Sequence, residues 1–277
     1  MTNAFPDRCL APRSLSRGSR TLRFTQYLAL LLFGAFAGSA VAQTARGLAH
    51  PESSPLTYDD GDLFLGFRST DGTSDYLINI GQPTQFVNTS PGSTFQVPVG
   101  GVSADLAAAF GADWYHRIDP NTGRNAVLWA VVGGRQIAAS GDLANTLYST
   151  NPLSSPWVRR SETAQSFTSS LITALGNTLS GNQPTPNNPQ GLIQSAASSN
   201  SFATFQPGGA NSNGISFQTW NPGNDARPVD RLFLNRITPG SGAATVLGAF
   251  TLSSSGQLSF SAGSNPIGQT LKTSTRK

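Results

Sequence analysis

The most regular pattern of apolar and polar positions covers residues 58–81, YDDGDLFLGFRSTDGTSDYLINIG. Every second residue is apolar along two arms, formed by Leu63, Leu65 and Phe67 on the first and by Tyr76, Ile78 and Ile80 on the second. A run of turn-forming residues with Asp71 and Gly72 at its centre separates the arms. Alternation around an Asp-Gly turn is typical of a β-hairpin. The pattern therefore predicts a hairpin that opens a sheet.

Further apolar patterns predict more strands. Residues 125–134, NAVLWAVVGG, are so rich in β-branched and aromatic side chains that they predict a central strand buried on both faces. We expect residues 144–150 to pair with it. Alternation returns at 246–260, VLGAFTLSSSGQLSF, which predicts a second hairpin that closes the sheet. Shorter strands or strand edges are predicted at 86–87, 95–99, 215–220 and 229–237.

Two segments have helical periodicity. Residues 103–111 begin with Ser103, a good N-cap, and end with Gly111, which can close a helix. Asp105 suits the positive N-terminal end of this helix. Residues 161–179 carry apolar side chains at spacings of three and four, namely Ala164, Phe167, Leu171, Leu175 and Leu179. This stripe is the face that we expect the second helix to bury.

Together these elements predict a mainly β fold with two or more helices, of the α+β class, built on an antiparallel sheet or sandwich. We expect residues 58–262 to form a single domain that contains the helix at 161–179. The other segments are rich in polar and turn residues: a linker at 43–57, a long, partly mobile loop at 181–214 attached through Phe202 and Phe205, and a disordered tail at 263–277.

The first 42 residues carry the three parts of a secretory signal peptide. Five arginines precede an apolar run at 27–37, and a small-x-small cleavage site at 40–42 follows it. The alternative is an uncleaved anchor, because residues 24–42 are about as long as a helix that spans a bilayer. Glycine and serine residues dilute the run and favour cleavage. We therefore expect a protein that is secreted or periplasmic.

Export changes the charge balance. Five of the eighteen Lys and Arg residues but only one of the fourteen acids lie in residues 1–42, so thirteen of each sign remain. Because the exported part is formally neutral, its charge gives no reason to expect nucleic-acid binding. Without the leader we also expect no contact with a membrane. The only cysteine, Cys9, also lies in the leader. The exported part therefore has no disulfide and must be held together by its core.

Residue types that several chemistries need are scarce. The only histidines are His50 and His116, and no G-x-S-x-G motif is present, so a catalytic Ser-His-Asp triad could use only His116 as its base. A surface histidine is the favoured interpretation. The sequence also lacks His-Cys clusters for zinc and glycine loops for phosphate. We therefore expect no enzymatic activity and no cofactor, with an extracellular hydrolase that uses aspartates as the last alternative.

Calcium is harder to exclude, because it binds carboxylate and carbonyl oxygens. Five aspartates in and around the opening hairpin lie at short spacings: Asp59, Asp60, Asp62, Asp71 and Asp75. None of these runs completes the calcium-loop pattern, which closes with a glutamate. Asp and Gly are also the residues that turns require. Turn formation is therefore the favoured interpretation, and a calcium site is the alternative.

Sugar binding needs an exposed aromatic ring with polar neighbours. Trp157 and Trp220 both lie beside turns, which makes them the candidate ligand-binding residues. Trp114 and Trp129 lie in strongly apolar or regularly patterned stretches and are expected in the core. A carbohydrate-binding module is therefore the alternative function.

The order of these patterns resembles that of exported bacterial proteins of the PEP-CTERM type. The corresponding pieces are DLFLGFR at 62–68, DYLINIG at 75–81, ADLAAAFGADW at 104–114, LWAVVG at 128–133, TLY at 146–148 and LGAFTLSSSGQLSF at 247–260. Their order matches over nearly all of the exported part except the loop at 181–214. The shared motifs are structural rather than catalytic, so the resemblance implies a type of protein rather than a reaction.

One feature of that family is missing from this sequence. In the family the closing hairpin is followed by a Pro-Glu-Pro motif, an apolar helix and arginines, which resemble a sorting signal. Residues 261–277, SAGSNPIGQTLKTSTRK, contain neither the motif nor an apolar run, so we expect free secretion or periplasmic residence. The resemblance and the residue types together predict a secreted, non-enzymatic structural or matrix- or surface-associated protein, with extracellular polysaccharide or cell-surface components as its partners.

Overall fold

The alternating segments form β-strands in the computed structural model, which describes residues 56–70, 72–152, 155–205 and 231–263. The strands are β1 (Leu63–Ser69), β2 (Ser74–Gly81), β3 (Thr94–Gln96), β4 (Val127–Arg135), β5 (Thr146–Asn151), β6 (Gly191–Ser195), β7 (Leu232–Ile237), β8 (Thr245–Leu252) and β9 (Leu258–Ala262). The helices are α1 (Thr84–Val87), α2 (Val102–Phe110), α3 (Glu162–Leu179) and α4 (Phe202–Phe205). All the described residues fall in one compact unit, Ala49–Lys277.

The nine strands of the described ranges form one antiparallel sheet in the order β3-β9-β8-β7-β5-β4-β1-β2-β6. β1 and β2 pair as the opening hairpin, with Phe67 opposite Tyr76. β8 and β9 pair as the closing hairpin, with Phe250 opposite Phe260. Both hairpins and the mainly β fold class are therefore confirmed, and the sheet is a single curled one rather than a sandwich. A short strand, β6 or β3, lies outside each hairpin.

β4 is buried on both faces, as its apolar sequence predicts. Its neighbours in the sheet are β1 and β5. Successive side chains point to opposite faces of a strand, so Trp129 and Val131 enter one hydrophobic core and Ala130 and Val132 enter another. We call these the first and the second core. Because both faces are covered, the sheet forms the middle layer of the molecule.

Helices α2 and α3 cover opposite faces of the sheet. α2 contributes Leu106 to the first core, and α3 contributes Ile172 to the second. α3 approaches β4 closely because Gly134 has no side chain. A Cβ at Gly134 would lie 3.2 Å from the Cα of Ser169, a distance at which the helix would have to move outward.

The helix ends agree only in part with their predictions. α3 is capped by Ser161, whose hydroxyl accepts a hydrogen bond from the amide of Ala164. α2 ends at Gly111, as predicted, and this residue has a φ of +98° that glycine adopts readily. The N-cap of α2 is Gly101 rather than the predicted Ser103, which lies inside the first turn. The predicted N-cap is therefore wrong by two residues.

The buried face of α3 includes Leu175 and Leu179 of the predicted stripe but is rotated away from Phe167. Phe167 belongs to that stripe but is 48% exposed. The residues that α3 buries are Gln165, Thr168, Ser169, Ile172, Leu175, Gly176 and Leu179. Gln165 decides this orientation, because its side-chain amide donates to the carbonyl oxygens of Asn145 and Ile237, each at 2.8 Å. A buried amide with two good acceptors competes successfully with an apolar ring for the inward position.

Phe86 and Val87 were predicted to lie in a strand, and this prediction is wrong. Both residues belong to α1, which follows Pro83, and their amides both donate to the carbonyl oxygen of Pro83. Proline fixes φ near the value that a helical turn needs. The turn places the ring of Phe86 in the first core, with its centroid 5.2 Å from that of Phe250. The strand predicted at 95–99 is present only in part, because β3 ends at Gln96, and the strand predicted at 229–237 is present as β7 from Leu232.

The predicted loop at 181–214 contains regular structure in its described part, 181–205. β6 adds to the outer side of β2, and α4 buries Phe202 and Phe205, the two residues predicted to attach this stretch. A strand at a sheet edge gains its hydrogen bonds from its neighbour and needs few apolar residues of its own. The prediction of a loop is therefore wrong at β6 and α4.

Other predictions concern residues outside the described ranges. They are the signal peptide at 1–42, the linker as far as residue 55, the strand at 215–220, the tail from residue 264, and the candidate residues Asp71 and Trp220.

Candidate functional site

Buried charges meet at one end of the sheet, where β4 ends and β5 begins. We call this the β4–β5 end. Asp142 in the connecting loop accepts hydrogen bonds from the Tyr148 hydroxyl at 2.8 and 3.0 Å and from Nε of Arg236 at 2.7 Å. Nε of Arg135 lies 3.4 Å from the carboxylate. The four residues converge because β4, β5 and β7 are neighbours in the sheet.

The network continues from Arg135 towards the opening hairpin. Its Nη2 donates to Oε1 of Gln82 at 2.6 Å, and Nε2 of Gln82 donates to Oδ1 of Asp62 at 2.6 Å. The guanidinium lies directly against Gly61, which has a φ of +96°, and a Cβ there would come within 2.5 Å of Nη2. Only glycine fits this position, because both the conformation and the contact exclude a side chain.

The electrostatics of the network favour a structural role. The side chains of Arg135 and Asp142 are only 5% and 3% exposed, and the carboxylate is compensated by two guanidinium groups. Burial, and then the negative charge of Asp142, raise the pKa of Tyr148 well above its usual value. The phenol therefore stays protonated and acts as a donor. A tyrosine in this state supplies neither a base nor a nucleophile at neutral pH.

The acids before β1 also accept hydrogen bonds. Asp60 accepts the backbone amides of Gln136 and Ile137 at 2.8 and 3.1 Å, which ties the hairpin entrance to the end of β4. Asp62 accepts the amide of Asp59 at 2.9 Å and the side chain of Asn79 at 2.7 Å. N–H donors point at the oxygens that calcium would need, so Asp60 and Asp62 do not fit a calcium site in this arrangement.

Asp75 lies away from these acids, under α4. Within residues 56–70, 72–152, 155–205 and 231–263, no group of three or more His, Cys, Asp or Glu side chains is placed to hold a metal ion. Asp75 is fully buried, and its Oδ2 accepts the amide of Ala203 in α4 at 2.7 Å. Its Oδ1 has no hydrogen-bond partner. The sequence grouped Asp75 with the hairpin acids, but the structure gives it a separate environment.

Burial is the main influence on Asp75. It raises the pKa of the carboxyl from 3.8 to about 6, and the hydrogen bonds from Ala203 and Ser201 and the charge of Arg68 only partly oppose this rise. Gln194 lies directly opposite Asp75 on β6, and its Nε2 is also buried without a partner. The site beneath α4 therefore holds an acceptor and a donor that are both unsatisfied.

Asp105 was predicted to stabilise the N-terminal end of α2 through the helix dipole. The structure shows that its carboxylate is buried and accepts the Tyr76 hydroxyl at 2.7 Å and Nδ2 of Asn187 at 2.8 Å. Thr185 donates to the same carboxylate. Burial and then this carboxylate raise the pKa of Tyr76. Asp105 therefore connects α2, β2 and the stretch before β6.

The two predicted ligand-binding tryptophans have different outcomes. Trp157 is only 4% exposed and belongs to the second core, so the prediction of an exposed ring at this position is wrong. Trp220 lies outside the described residues and stays a prediction. Trp114 and Trp129 are both in the first core, as predicted. His116 is exposed after α2, with its ring edge-on to Tyr115 at a centroid distance of 5.0 Å.

A groove that the sequence did not indicate runs beside the edge strand β3. It has a volume of about 660 Å³ and is lined by residues 96–104 and by the turn at 255–257. Its polar side chains are Gln96, Ser103, Ser255 and Gln257. The two lining segments are some 150 residues apart in sequence, so no local pattern could have revealed that they meet.

Sequence reasoning also missed Arg135, Asp142, Tyr148 and Arg236. The one local signal was an arginine that directly ends a strongly apolar strand, since a buried charge requires a partner.

Comparisons with protein-family models, curated proteins and solved structures give no match. Among the described residues, no helix combines the length and apolar character needed to cross a membrane.

Proposed function

We propose that the chain is an exported, non-enzymatic protein that works as a structural or surface-associated component outside the cytoplasm. The signal-peptide pattern of residues 1–42 supports export. The resemblance to PEP-CTERM-type proteins supports a structural or matrix role, because the shared motifs are strands and helices rather than catalytic residues.

The observation that carries this proposal is the use of acids that are buried or, for Asp60, half-buried. Asp60, Asp62, Asp75, Asp105 and Asp142 each accept hydrogen bonds from another segment. A carboxylate that performs acid–base catalysis must instead reach its substrate and exchange a proton with it. These carboxylates join loops and helices to the sheet, so they support the fold. A protein whose carboxylates hold its segments together in this way is suited to a scaffold or binding role.

A substrate screen tests the absence of enzymatic activity. The exported chain would be incubated with polysaccharides and with chromogenic esters, glycosides, peptides and phosphates, and we expect no turnover above that of buffer. His116→Gln and Asp113→Asn are suitable variants, because both side chains are exposed and neither is part of the networks described above. Turnover that either substitution abolishes would sink the non-enzymatic proposal.

Cell fractionation tests export separately. Antibody detection should find the chain in the medium, in the periplasm or on the cell surface, with a cytoplasmic enzyme as the control for lysis. A chain that stays with the cytoplasmic marker and retains residues 1–42 would contradict export.

A carbohydrate-binding protein is the second candidate, and the groove beside β3 favours it. The amides of Gln96 and Gln257 and the hydroxyls of Ser103 and Ser255 line this groove, and such neutral groups pair with sugar hydroxyls. Affinity electrophoresis on a panel of glycans would compare the unmodified chain with Gln96→Ala, Gln257→Ala and Trp220→Ala. Retardation that the two glutamine variants lose supports the groove, whereas unchanged mobility on every glycan removes this candidate.

A further inference from the structure

The two outermost strands of the sheet, β3 and β6, each have one side that no other strand of the described ranges covers. Such an edge presents peptide groups that can pair with a further strand. The two edges differ in how many of these groups are already bonded. That difference indicates which edge can accept another strand.

The hydrogen bonds between β3 and β9 show which way the peptide groups of β3 point. The carbonyl of Ser93 accepts the amide of Ala262, and the amide of Val97 donates to the carbonyl of Leu258, each at 2.9 Å. In an antiparallel ladder, residues that bond to the neighbouring strand alternate with residues that face away from it. Two residues between Ser93 and Val97 therefore point their peptide groups to the open side.

These two residues are Thr94 and Gln96. Both are exposed, and no described residue bonds to the amide or the carbonyl of either one. The open edge of β3 therefore offers two donors and two acceptors in a regular row.

The edge of β6 is largely closed by its own flanking segments. By the same alternation, its outward residues are Gly191, Ile193 and Ser195. The carbonyl of Gly191 accepts the amide of Thr185 at 2.9 Å, and the carbonyl of Ser195 accepts the amide of Ser198 at 3.0 Å. Among the described residues of this edge, Ile193 alone keeps both of its peptide groups open. β3 is therefore the better edge for pairing.

The surroundings of the β3 edge carry no charge. Residues 76–104 and 237–271, which include β3, β8 and β9, contain no Asp, Glu, Lys, Arg or His. Natural edge strands are commonly blunted by a charged side chain, because it discourages a second edge from approaching. The protection that β3 has is its short length and Pro98, which has no amide to donate. Two copies of this edge can therefore meet without repulsion between the paired strands.

We propose that β3 pairs with β3 of a second copy of this chain in an antiparallel, two-fold dimer. Thr94 of one copy would lie opposite Gln96 of the partner subunit, with Phe95 of both copies at the axis. Two amides and two carbonyls from each copy then form four hydrogen bonds and leave no open peptide group on Thr94 or Gln96. The inference rests on the proposed structural function and names a second copy as the partner.

Phe95 favours a second copy over an unrelated strand. Its half-buried ring packs against Phe86 and Phe260, with centroids 5.9 and 5.8 Å away. At the centre of the two-fold pairing, Phe95 would face its own copy in a pair without mutual hydrogen bonds, the type that brings side chains closest. Aromatic pairs across strands are stabilising, and two-fold dimers are the commonest homo-oligomers. The pairing would thus join the first cores of the two copies.

Sedimentation equilibrium of the full exported chain tests the proposal. Because only a short strand pairs, we expect a weak dimer, absent at about 1 μM and prominent by about 500 μM. Gln96→Pro should weaken association about tenfold or more, because it removes an outward amide from each copy and thus two of the four hydrogen bonds. Ser195→Pro is the matched control, since it removes an outward amide from the other edge, and it should associate normally. Circular dichroism checks that both variants fold.

Disulfide crosslinking tests the register and does not depend on the proline variants. The exported part has no cysteine of its own. Opposite residues in a hydrogen-bonded pair have Cα atoms about 5.5 Å apart, within reach of a disulfide. Thr94 of the two copies would be diagonal neighbours at about 7–8 Å, which is too far. Mixing Thr94→Cys with Gln96→Cys should therefore give several-fold more oxidised dimer than either variant alone.

A monomer at every concentration would overturn the proposal. If hydrogen exchange then finds the amides of Thr94 and Gln96 protected, another segment of the same chain covers the edge. A dimer that Gln96→Pro does not weaken, equal weakening in Ser195→Pro, or no excess of crosslinking in the mixture would overturn it as well. Each of these results leaves export and the lack of turnover standing, because fractionation and the substrate screen measure those separately.

Discussion

Two buried aspartates, Asp142 at the β4–β5 end and Asp75 beneath α4, occupy opposite electrostatic situations. Asp142 receives a tyrosine hydroxyl and an arginine, with a second arginine 3.4 Å away. Asp75 accepts the backbone amide of Ala203 on Oδ2, while its Oδ1 has no hydrogen-bond partner. The same residue type is therefore well compensated in one place and only partly compensated in the other.

Burial alone therefore does not define the role of a charged side chain. A compensated carboxylate stays ionised and holds its donors in place, whereas a carboxylate with an unsatisfied oxygen binds a proton more readily. The pKa of Asp75 is accordingly raised to about 6, chiefly by burial. Removing the charge should thus have opposite consequences at the two positions.

The largest effect is expected for Asp142→Ala. The substitution leaves Arg135 buried without its counter-charge and removes the acceptor of the Tyr148 hydroxyl. Loss of one partner from such a buried pair typically costs about 3–5 kcal/mol. Urea unfolding monitored by tryptophan fluorescence would measure the free energy of unfolding. Asp113→Ala is the control at an exposed acid and should change it by less than about 0.5 kcal/mol. A similarly small loss for Asp142→Ala would contradict the structural role of the network.

The second effect is the pH dependence caused by Asp75. Its pKa is 3.8 in the unfolded chain and about 6 in the folded protein, so between these values the folded state binds more protons. The contribution of this residue to stability therefore falls as pH rises from about 4 to 6, by up to about 3 kcal/mol. Asp75→Asn should remove this decline.

Unfolding of the unmodified chain and of Asp75→Asn at a series of pH values checks this prediction. The difference between their free energies of unfolding should grow through that interval and stay constant above it. A difference that does not change with pH would show that Asp75 has an ordinary pKa.

Two glutamines give the third comparison. Gln165 is buried and donates to two carbonyl oxygens at 2.8 Å, whereas Nε2 of Gln194 is buried without a partner. Gln165→Met should cost about 2 kcal/mol, because one buried and one half-buried carbonyl lose their donor. Gln194→Met should change stability by less than about 0.5 kcal/mol, because it removes an unsatisfied group. Thermal unfolding of both variants would test this, and equal losses would contradict the assigned hydrogen bonds.

The strands with strong local signals could be predicted from sequence. Both hairpins follow from alternation around short turns, and β4 follows from its apolar run. β6 could not be predicted in this way, because the segment GLIQS forms a strand through its pairing with β2. The buried face of α3 also depended on tertiary structure, since Gln165 turns inward to reach acceptors on two distant segments.

The networks were less predictable than the fold. Asp60 and Asp62 stand out in the sequence, but their donors come from Gln136, Ile137 and Asn79. Asp142 was not singled out, because nothing local distinguishes a loop aspartate from one that meets two arginines. Long-range pairing of strands creates these sites. Residue type alone therefore left calcium as an alternative to turns, whereas the structure shows acceptors of hydrogen bonds from distant segments.

The most direct test of this account replaces each aspartate by its uncharged isostere under the same conditions. Asp142→Asn and Asp75→Asn would be unfolded in urea at pH 7.5, which is above the pKa of about 6 for Asp75. The account predicts opposite signs, with Asp142→Asn less stable than the unmodified chain and Asp75→Asn more stable. Changes of the same sign would contradict the claim that the two charges differ in their compensation.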